Sequence, residues 1–303
     1  MPASFPLIVI AGPTASGKSS LAVSVAKKLN TEIISCDSRQ IYKHMNIGTA
    51  KASKNERGGI NHWLLDIVSP DAEYTVSNYK TDCDKAIMEI AGKNKIPVIC
   101  GGTGFYLNAV LYDMNLGGVS SDKNIRNELE KKGKDDLYNE LQKIDPETAK
   151  LLFPNDTVRV KRAIEIFLTT GKKKSEIKED YKNKPRYKHI YVVLESGREY
   201  LYDRINKRVD IMLAGGLVGE VKQLVSMGYG KAKPLETIGY KEIISYLNDE
   251  FTLTEAADKI KQSTRNYAKR QVTWFKYVKD AVFINCETDI ETQAREVIKL
   301  LNV

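Results

Sequence analysis

Eight residues near the start of the chain, Gly12-Pro13-Thr14-Ala15-Ser16-Gly17-Lys18-Ser19, carry the spacing G-x-x-x-x-G-K-[ST]. Glycines there let backbone turn tightly and approach an anion; Lys18 brings a mobile positive charge and Ser19 offers a hydroxyl to Mg2+. The stretch follows an apolar run over residues 7–11 and opens a helix-like segment over 20–29. Strand, glycine loop and helix make a phosphate cradle, because the N–H groups of the loop and of the helix start converge on one point. A chance glycine-rich turn lacks that setting. The loop reads a diphosphate-like group and not what is attached to it. ATP, GTP or another diphosphate ester would satisfy it, so function must come from residues elsewhere.

Two further segments end beside such a loop if the chain forms a parallel sheet, where ligands sit beyond the carboxyl ends of the strands. Asp37-Ser38-Arg39-Gln40 follows an apolar strand over 32–36, and Gly101-Gly102-Thr103-Gly104 follows another over 96–100. A carboxylate at Asp37 could act as a general base or help hold Mg2+. Aspartate is equally common as a helix cap or turn residue. The glycines at 101–104 either permit a tight turn or let backbone and the Thr103 hydroxyl approach a ligand. Arg204 and Arg208 share a helix face at i, i+4 and could clamp a departing pyrophosphate, or pair with surface carboxylates.

The elements that would position these residues alternate in the first third: strands at 7–11, 32–36, 63–68 and 96–100, and helices at 20–29 and 78–92. That alternation argues an α/β fold, a P-loop NTPase-like parallel sheet flanked by helices. From 121 to 187 the pattern becomes charged and helical, with candidates at 122–132, 136–144, 146–152 and 156–168. Strand character resumes at 189–194, and a late strand is expected at 281–284. The economical organisation is a catalytic core of 1–120 with 188–303 and an all-helical insertion of 121–187. Leu201, Ile205, Val209 and Met212 mark the buried stripe of a helix over 198–213. Thr252 and Glu255 form a capping box that starts a long helix running to about residue 279.

The chain has 303 residues, 47 Lys plus Arg against 39 Asp plus Glu, and a net charge of +8. Residues 172–188 alone hold eight basic and three acidic side chains. A cationic surface favours a polyanion such as nucleic acid, although a solvated lysine-rich loop has the same composition. Arg159 and Arg162 form one basic stripe at i, i+3, with Val160, Ile164 and Phe167 on another face, and Lys261, Arg265, Lys269 and Lys276 form a second, with Ala268, Val272 and Phe275 on another face. Trp274 and Tyr277 could stack on bases or simply pack. No apolar run is long enough for a membrane span, and no signal peptide is readable. Cys36, Cys83, Cys100 and Cys286 are scattered, and His44, His62 and His189 have no ligand spacing, so a reduced cytoplasmic protein without disulfides or zinc is expected.

With these segments in order, the chain closely resembles the tRNA dimethylallyltransferases, the isopentenyl-tRNA transferase family. The resemblance rests on 12–19, on Asp-Ser-Arg-Gln-Ile-Tyr at 37–42, and on Met-Asn-Ile-Gly-Thr-Ala-Lys at 45–51. It continues through Gly-Gly-Thr-Gly-Phe-Tyr at 101–106, Asn-Asp-Thr-Val-Arg-Val-Lys-Arg-Ala-Ile-Glu at 155–165, and Arg208 with Met212-Leu213. Ile-Gly-Tyr-Lys-Glu at 238–242 and Thr-Arg-Asn-Tyr-Ala-Lys-Arg-Gln-Val-Thr-Trp-Phe at 264–275 complete it. Ser19 stands where many members have Thr, and the family's acidic-Pro signal is blurred at 117–122.

The resemblance implies transfer of a dimethylallyl group from its diphosphate to the exocyclic amine of the adenine just 3′ of the anticodon. Gly12 to Ser19 would hold the diphosphate, and Ser19 the Mg2+. Asp37, Thr103 and Arg208 would be the catalytic set, with Asp37 removing the amine proton. Asp37, Ser38, Arg39 and Gln40 would meet tRNA, together with Val158, Arg159, Val160, Lys161 and Arg162 in the insertion and Arg265, Lys269 and Arg270 in the late helix. The insertion and the late helix would grip the anticodon stem-loop from two sides, and a monomer is implied. Two rivals share the loop. A P-loop kinase of a small hydroxyl compound would use Asp37 on an alcohol, and a non-enzymatic RNA-binding NTP switch would need no base.

Overall fold

The computed structural model describes residues 6–112, 114, 122–177 and 185–302. Its organising element is β1 (Leu7–Ala11), whose five residues are all buried. A strand covered on both faces reads as an unbroken apolar run, which is what Leu-Ile-Val-Ile-Ala provides. The chain continues through α1 (Lys18–Lys28), β2 (Ile33–Ser35), α2 (Lys54–Arg57), β3 (His62–Trp63), α3 (Val76–Gly92), β4 (Val98–Gly101) and α4 (Gly104–Leu111). After the helices of the insertion come β5 (His189–Glu195) and a run of four helices.

The six strands pair in the order β3-β2-β4-β1-β5-β6, with β6 at Ala281–Asn285. Every ladder is parallel. The early crossovers build on one side of β1, and β5 is laid down on the other. That reversal beside β1 is where a crevice opens beyond the strand ends. One face of the sheet packs Ile8, Ile10, Val98 and Val192 against Leu21, Ala22 and Val25 of α1. The α/β, parallel-sheet architecture expected from the sequence is the one observed.

Contacts divide the chain into a unit of residues 1–111 with 186–303 and a unit of residues 112–185, against 121–187 read from the sequence. The second unit contains α5 (Lys123–Glu130), α6 (Lys134–Ile144), α7 (Pro146–Leu151) and α8 (Thr157–Thr170). Leu129, Leu137, Leu141, Val160, Ala163 and Ile164 form its own core. Its buried Glu165 accepts from Arg126 Nε at 2.8 Å and Arg162 Nη1 at 2.7 Å. Residues 117–121 of the blurred segment, and residues 178–184 of the basic run, lie outside the described residues.

In the first unit, β5 leads to α9 (Arg198–Ala214), α10 (Leu217–Ser226), α11 (Tyr240–Leu247) and α12 (Leu253–Phe275), and α13 (Ile290–Lys299) follows β6. On α9, Leu201, Ile205 and Val209 are buried. The Thr252–Glu255 capping box is present at the start of α12. The strand expected at 63–68 is a correction: β3 ends at Trp63, because Leu64 (φ 62°) and Asp66 (φ 56°) take left-handed backbone that no strand accommodates. Lys51 holds that turn, donating to the Tyr42 carbonyl at 2.8 Å and to Asp66.

Candidate active site

The loop between β1 and α1 is open toward a ligand because its own side chains leave the helix start unfilled. Gly17 is the N-cap at φ 93°, and no side chain caps α1. The first N–H groups of a helix have no intrahelical acceptor, so an anion is their natural partner. At Gly12 (φ 151°) a side chain would be strained and crowded: a Cβ would lie 3.0 Å from the Leu194 carbonyl oxygen and 3.1 Å from Ser16 Oγ. Ala15 also takes left-handed backbone, φ 65°, and is held there by packing against Leu201, Ile205 and Ala268. Ser16 Oγ is buried without a hydrogen-bond partner among the described residues, a cost that a ligand oxygen would relieve.

Lys18 Nζ lies 3.3 Å from the Pro13 carbonyl oxygen. Burial lowers the Lys18 pKa; the Cys100 thiol and the Asp37 carboxylate oppose that shift, while Arg208 adds to it. The loop is braced from α9. Arg204 Nε donates to the Ala15 carbonyl at 2.7 Å, and Arg208 Nη1 donates to Thr14 Oγ1 at 3.1 Å. Burial lowers the Arg208 pKa, Arg204 lowers it further, and Asp37 and Glu56 work against both. Arg204 and Arg208 therefore face the cradle, and the surface-pairing alternative does not apply to them.

Asp37 follows β2 at the strand end beside β4. Its Oδ1 accepts from the backbone N–H of Arg39 at 2.8 Å and of Gln40 at 3.3 Å. Oδ2 has no hydrogen bond among the described residues. The sequence left turn residue and base as alternatives, and the geometry allows both at once: one oxygen holds the turn while the other is uncommitted. Thr103 closes the same corner. Its Oγ1 accepts the Ser38 N–H at 3.2 Å, and its own N–H donates to the Cys36 carbonyl at 3.3 Å. The Thr103 hydroxyl proton is left for a ligand oxygen.

Loop residues 45–51 support this corner from behind. Glu220 of α10 accepts from the N–H groups of Asn46 at 2.9 Å, Ile47 at 2.7 Å and Gly48 at 3.1 Å, and from the Tyr240 hydroxyl at 2.7 Å. A Cβ at Gly48 would come within 2.5 Å of the Tyr240 ring, so only glycine lets α11 pack there. The carbonyls of Thr49 and Ala50 accept from Gln40 Nε2 at 3.1 and 3.3 Å. Tyr240 belongs to the 238–242 motif, but Glu220 carries no mark in the sequence; a lone carboxylate on a helix gives no signal of the distant loop it holds.

The residues expected to meet tRNA divide by exposure. Val158 is 78% exposed, and Arg159, Lys269 and Arg270 are exposed. Ser38, Arg39 and Lys161 are half-buried. Val160 is a correction: it is fully buried in the core of the insertion and presents nothing to a ligand. Arg162 is committed to Glu165, Gln40 to the 49–50 carbonyls, and Arg265 to Asn206 at 2.7 Å and Gln262 at 2.7 Å. Trp274 does pack, lying where a Cβ on Gly104 would be 2.1 Å from its Nε1, yet stays 40% exposed.

No group of three or more His, Cys, Asp or Glu able to hold a metal occurs among the described residues. Hard oxygen donors at the cradle include the Ser19 hydroxyl, exposed in the first turn of α1, and the Asp37 carboxylate. Such a set suits Mg2+, which keeps waters and takes one or two protein oxygens plus substrate phosphate oxygens. The four cysteines are buried free thiols, and no helix among the described residues is long and apolar enough to cross a membrane.

Residues 40–277 match the IPP transferase family and residues 5–71 the isopentenyl transferase family. The chain is 47% identical over 285 residues to a tRNA dimethylallyltransferase of Acetivibrio thermocellus, covering 92% of this chain and 91% of that one. It is 44% identical over 300 residues to the one of Clostridioides difficile, covering 97% and 96%. Among solved structures it is similar to the tRNA delta(2)-isopentenylpyrophosphate transferase of Staphylococcus epidermidis, at 41% identity and a TM-score of 0.75 over 99% of both chains. It is also similar to a eukaryotic dimethylallyltransferase acting on tRNA, at 34% identity and a TM-score of 0.84, covering 98% of this chain and 77% of that one.

Proposed function

The chain belongs to the IPP transferase family, and from that premise we propose that it transfers a dimethylallyl group from dimethylallyl diphosphate to the exocyclic amine of the adenine 3′-adjacent to the anticodon in tRNA. The observation that carries the assignment of roles is the corner shared by the cradle, Thr103 and Asp37, with Arg208 bonded to Thr14 beside them. In the reaction a bond forms between the adenine amine nitrogen and the allylic carbon, the carbon–oxygen bond to diphosphate breaks, and the amine loses a proton. The amine is a poor nucleophile because its lone pair is delocalised into the ring. Asp37, through Oδ2, takes that proton as attack proceeds. Lys18, Arg208, the Thr103 hydroxyl and the loop N–H groups stabilise charge as it builds on the departing oxygen.

Mg2+ held by Ser19, with Asp37 nearby, would supply further charge neutralisation at the diphosphate. The adenine leaves the anticodon stack to reach this corner, as stacked bases do when an enzyme must reach an atom the stack covers. Val158 and Arg159 in the insertion, and Lys269 and Arg270 on α12, are the exposed residues offered to the RNA. On this reading the enzyme acts as a monomer in the cytoplasm. The small-alcohol kinase shares the loop, but the relatives described above are tRNA-acting transferases. The test is incubation with unmodified tRNA, Mg2+ and labelled dimethylallyl diphosphate, repeated with labelled ATP and an alcohol. Label entering tRNA from the prenyl donor alone is the expected result; phosphate appearing on the alcohol would overturn it.

A further inference from the structure

A buried glutamine sits in the apolar stripe of α12. Ala268, Gln271 and Phe275 fall at i, i+3 and i+7, and all three are buried. A buried amide is destabilising unless its groups are bonded. Gln271 meets that need across the site and not within its own helix. Its Oε1 accepts the Thr14 N–H at 2.8 Å, and its Nε2 donates to the Gly102 carbonyl at 2.9 Å. One acceptor and one donor fix the amide in a single orientation.

Each partner is itself tied into the chemistry. Thr14 also receives the Arg208 guanidinium on its hydroxyl. Gly102 precedes Thr103, which bonds the Ser38 N–H beside Asp37. A Cβ on Gly102 would stand 2.3 Å from Gln271 Nε2, so glycine is what lets the amide reach the turn. The opposite side of the same helix segment exposes Lys269 and Arg270.

We propose that Gln271 is a positioning residue that ties the phosphate loop to the Thr103 turn through α12, so that RNA on the outer face of α12 and diphosphate in the loop strengthen each other's binding. The identity of the two ligands rests on the proposed function. RNA that orders α12 also orders Thr14 and Gly102, because a packed, bonded side chain transmits a shift instead of absorbing it. The diphosphate then meets a loop whose ordering cost has already been met, and by linkage the effect is reciprocal. A glutamine that only satisfied the core would contribute stability and no coupling.

The experiment titrates pyrophosphate with Mg2+ into the full chain by calorimetry, with and without a saturating anticodon stem-loop RNA. Wild type, Gln271→Met and Gln271→Glu are compared. In wild type the stem-loop is expected to tighten pyrophosphate binding about tenfold. Gln271→Met, similar in volume but unable to make either bond, is expected to bring that ratio close to one while the stem-loop alone binds as in wild type. Gln271→Glu keeps the acceptor for Thr14, sets a carboxylate against the Gly102 carbonyl, and is expected to reduce the ratio as well; it carries the test should the Met variant not fold. Lowered melting temperatures with an unchanged ratio would overturn the proposal, as would a wild-type ratio of one. A wild-type chain that binds pyrophosphate but ignores the stem-loop would instead bring down the proposed function, and the coupling with it.

Discussion

Replacing Asp37 with asparagine separates the two jobs that its carboxylate holds. The side-chain oxygen of asparagine can still accept the Arg39 and Gln40 N–H groups, now met at 2.8 and 3.3 Å by Oδ1. The turn should therefore persist. What is lost is a proton acceptor at the second oxygen and one negative charge beside Lys18 and Arg208. A positioned general base contributes roughly 100- to 10,000-fold, or about 3–5 kcal/mol of barrier. Single-turnover transfer of labelled prenyl group to an anticodon stem-loop should slow by that factor in Asp37→Asn. Affinity for pyrophosphate without Mg2+ should hold or rise, since the cationic cradle loses an internal counter-charge. Asp37→Ala should show the same rate defect and also lose about 1 kcal/mol of stability with the turn bonds. An Asp37→Asn enzyme within tenfold of the wild-type single-turnover rate would refute the base assignment and leave Asp37 a turn residue only.

Lys18→Ala should weaken pyrophosphate binding roughly 10- to 150-fold, the worth of a hydrogen bond to a charged group; unchanged calorimetric affinity would remove the loop from donor binding. Arg159→Ala should reduce the slope of log affinity for tRNA against log salt by about 0.7–0.9, one phosphate contact; an unchanged slope would take Arg159 out of the RNA contact. At the opposite end of β2, burial would raise the Glu32 pKa, but bonds from Asn61, Lys93 and Trp63 more than offset it and hold it at about 2. The folded carboxyl refuses a proton that the unfolded chain takes near pH 4.5, so this stabilisation, about 3 kcal/mol, is full above that pH and lost as pH falls toward 2. Glu32→Gln should therefore flatten the acid limb of urea-unfolding stability against pH; an identical limb in the variant would contradict this.

Much of the site was legible because its chemistry is written in local spacing. The loop at 12–19, the strand before it and the helix after it are contiguous, so the cradle needed no tertiary knowledge. Asp37 and Thr103 were legible through the rule that parallel strands deliver their ends to one edge. The 63–68 strand misled because apolar content hid the two left-handed residues that bend it. Val160 misled because the resemblance took the run 158–162 as a block, although helical spacing already sets Val160 with Ile164 on a face away from Arg159 and Arg162, the face found buried. Gln271 could have been singled out, since a polar amide interrupting the stripe from Ala268 to Phe275 must find partners. Its partners, Thr14 and Gly102, are remote in sequence and visible only in the fold. Glu220 carried no such mark, because an acidic residue on a helix is ordinarily solvated.

The roles of the cradle and of Asp37 are tested most directly by the structure of the chain with Mg2+, an unreactive thio analogue of dimethylallyl diphosphate and an anticodon stem-loop. The diphosphate should lie in the Gly12–Ser19 loop, with a free Asp37 carboxylate oxygen within roughly 2.6–3.2 Å of the exocyclic nitrogen of the extruded adenine. A diphosphate seated elsewhere, or an Asp37 turned to solvent with the adenine amine facing another side chain, would contradict those roles.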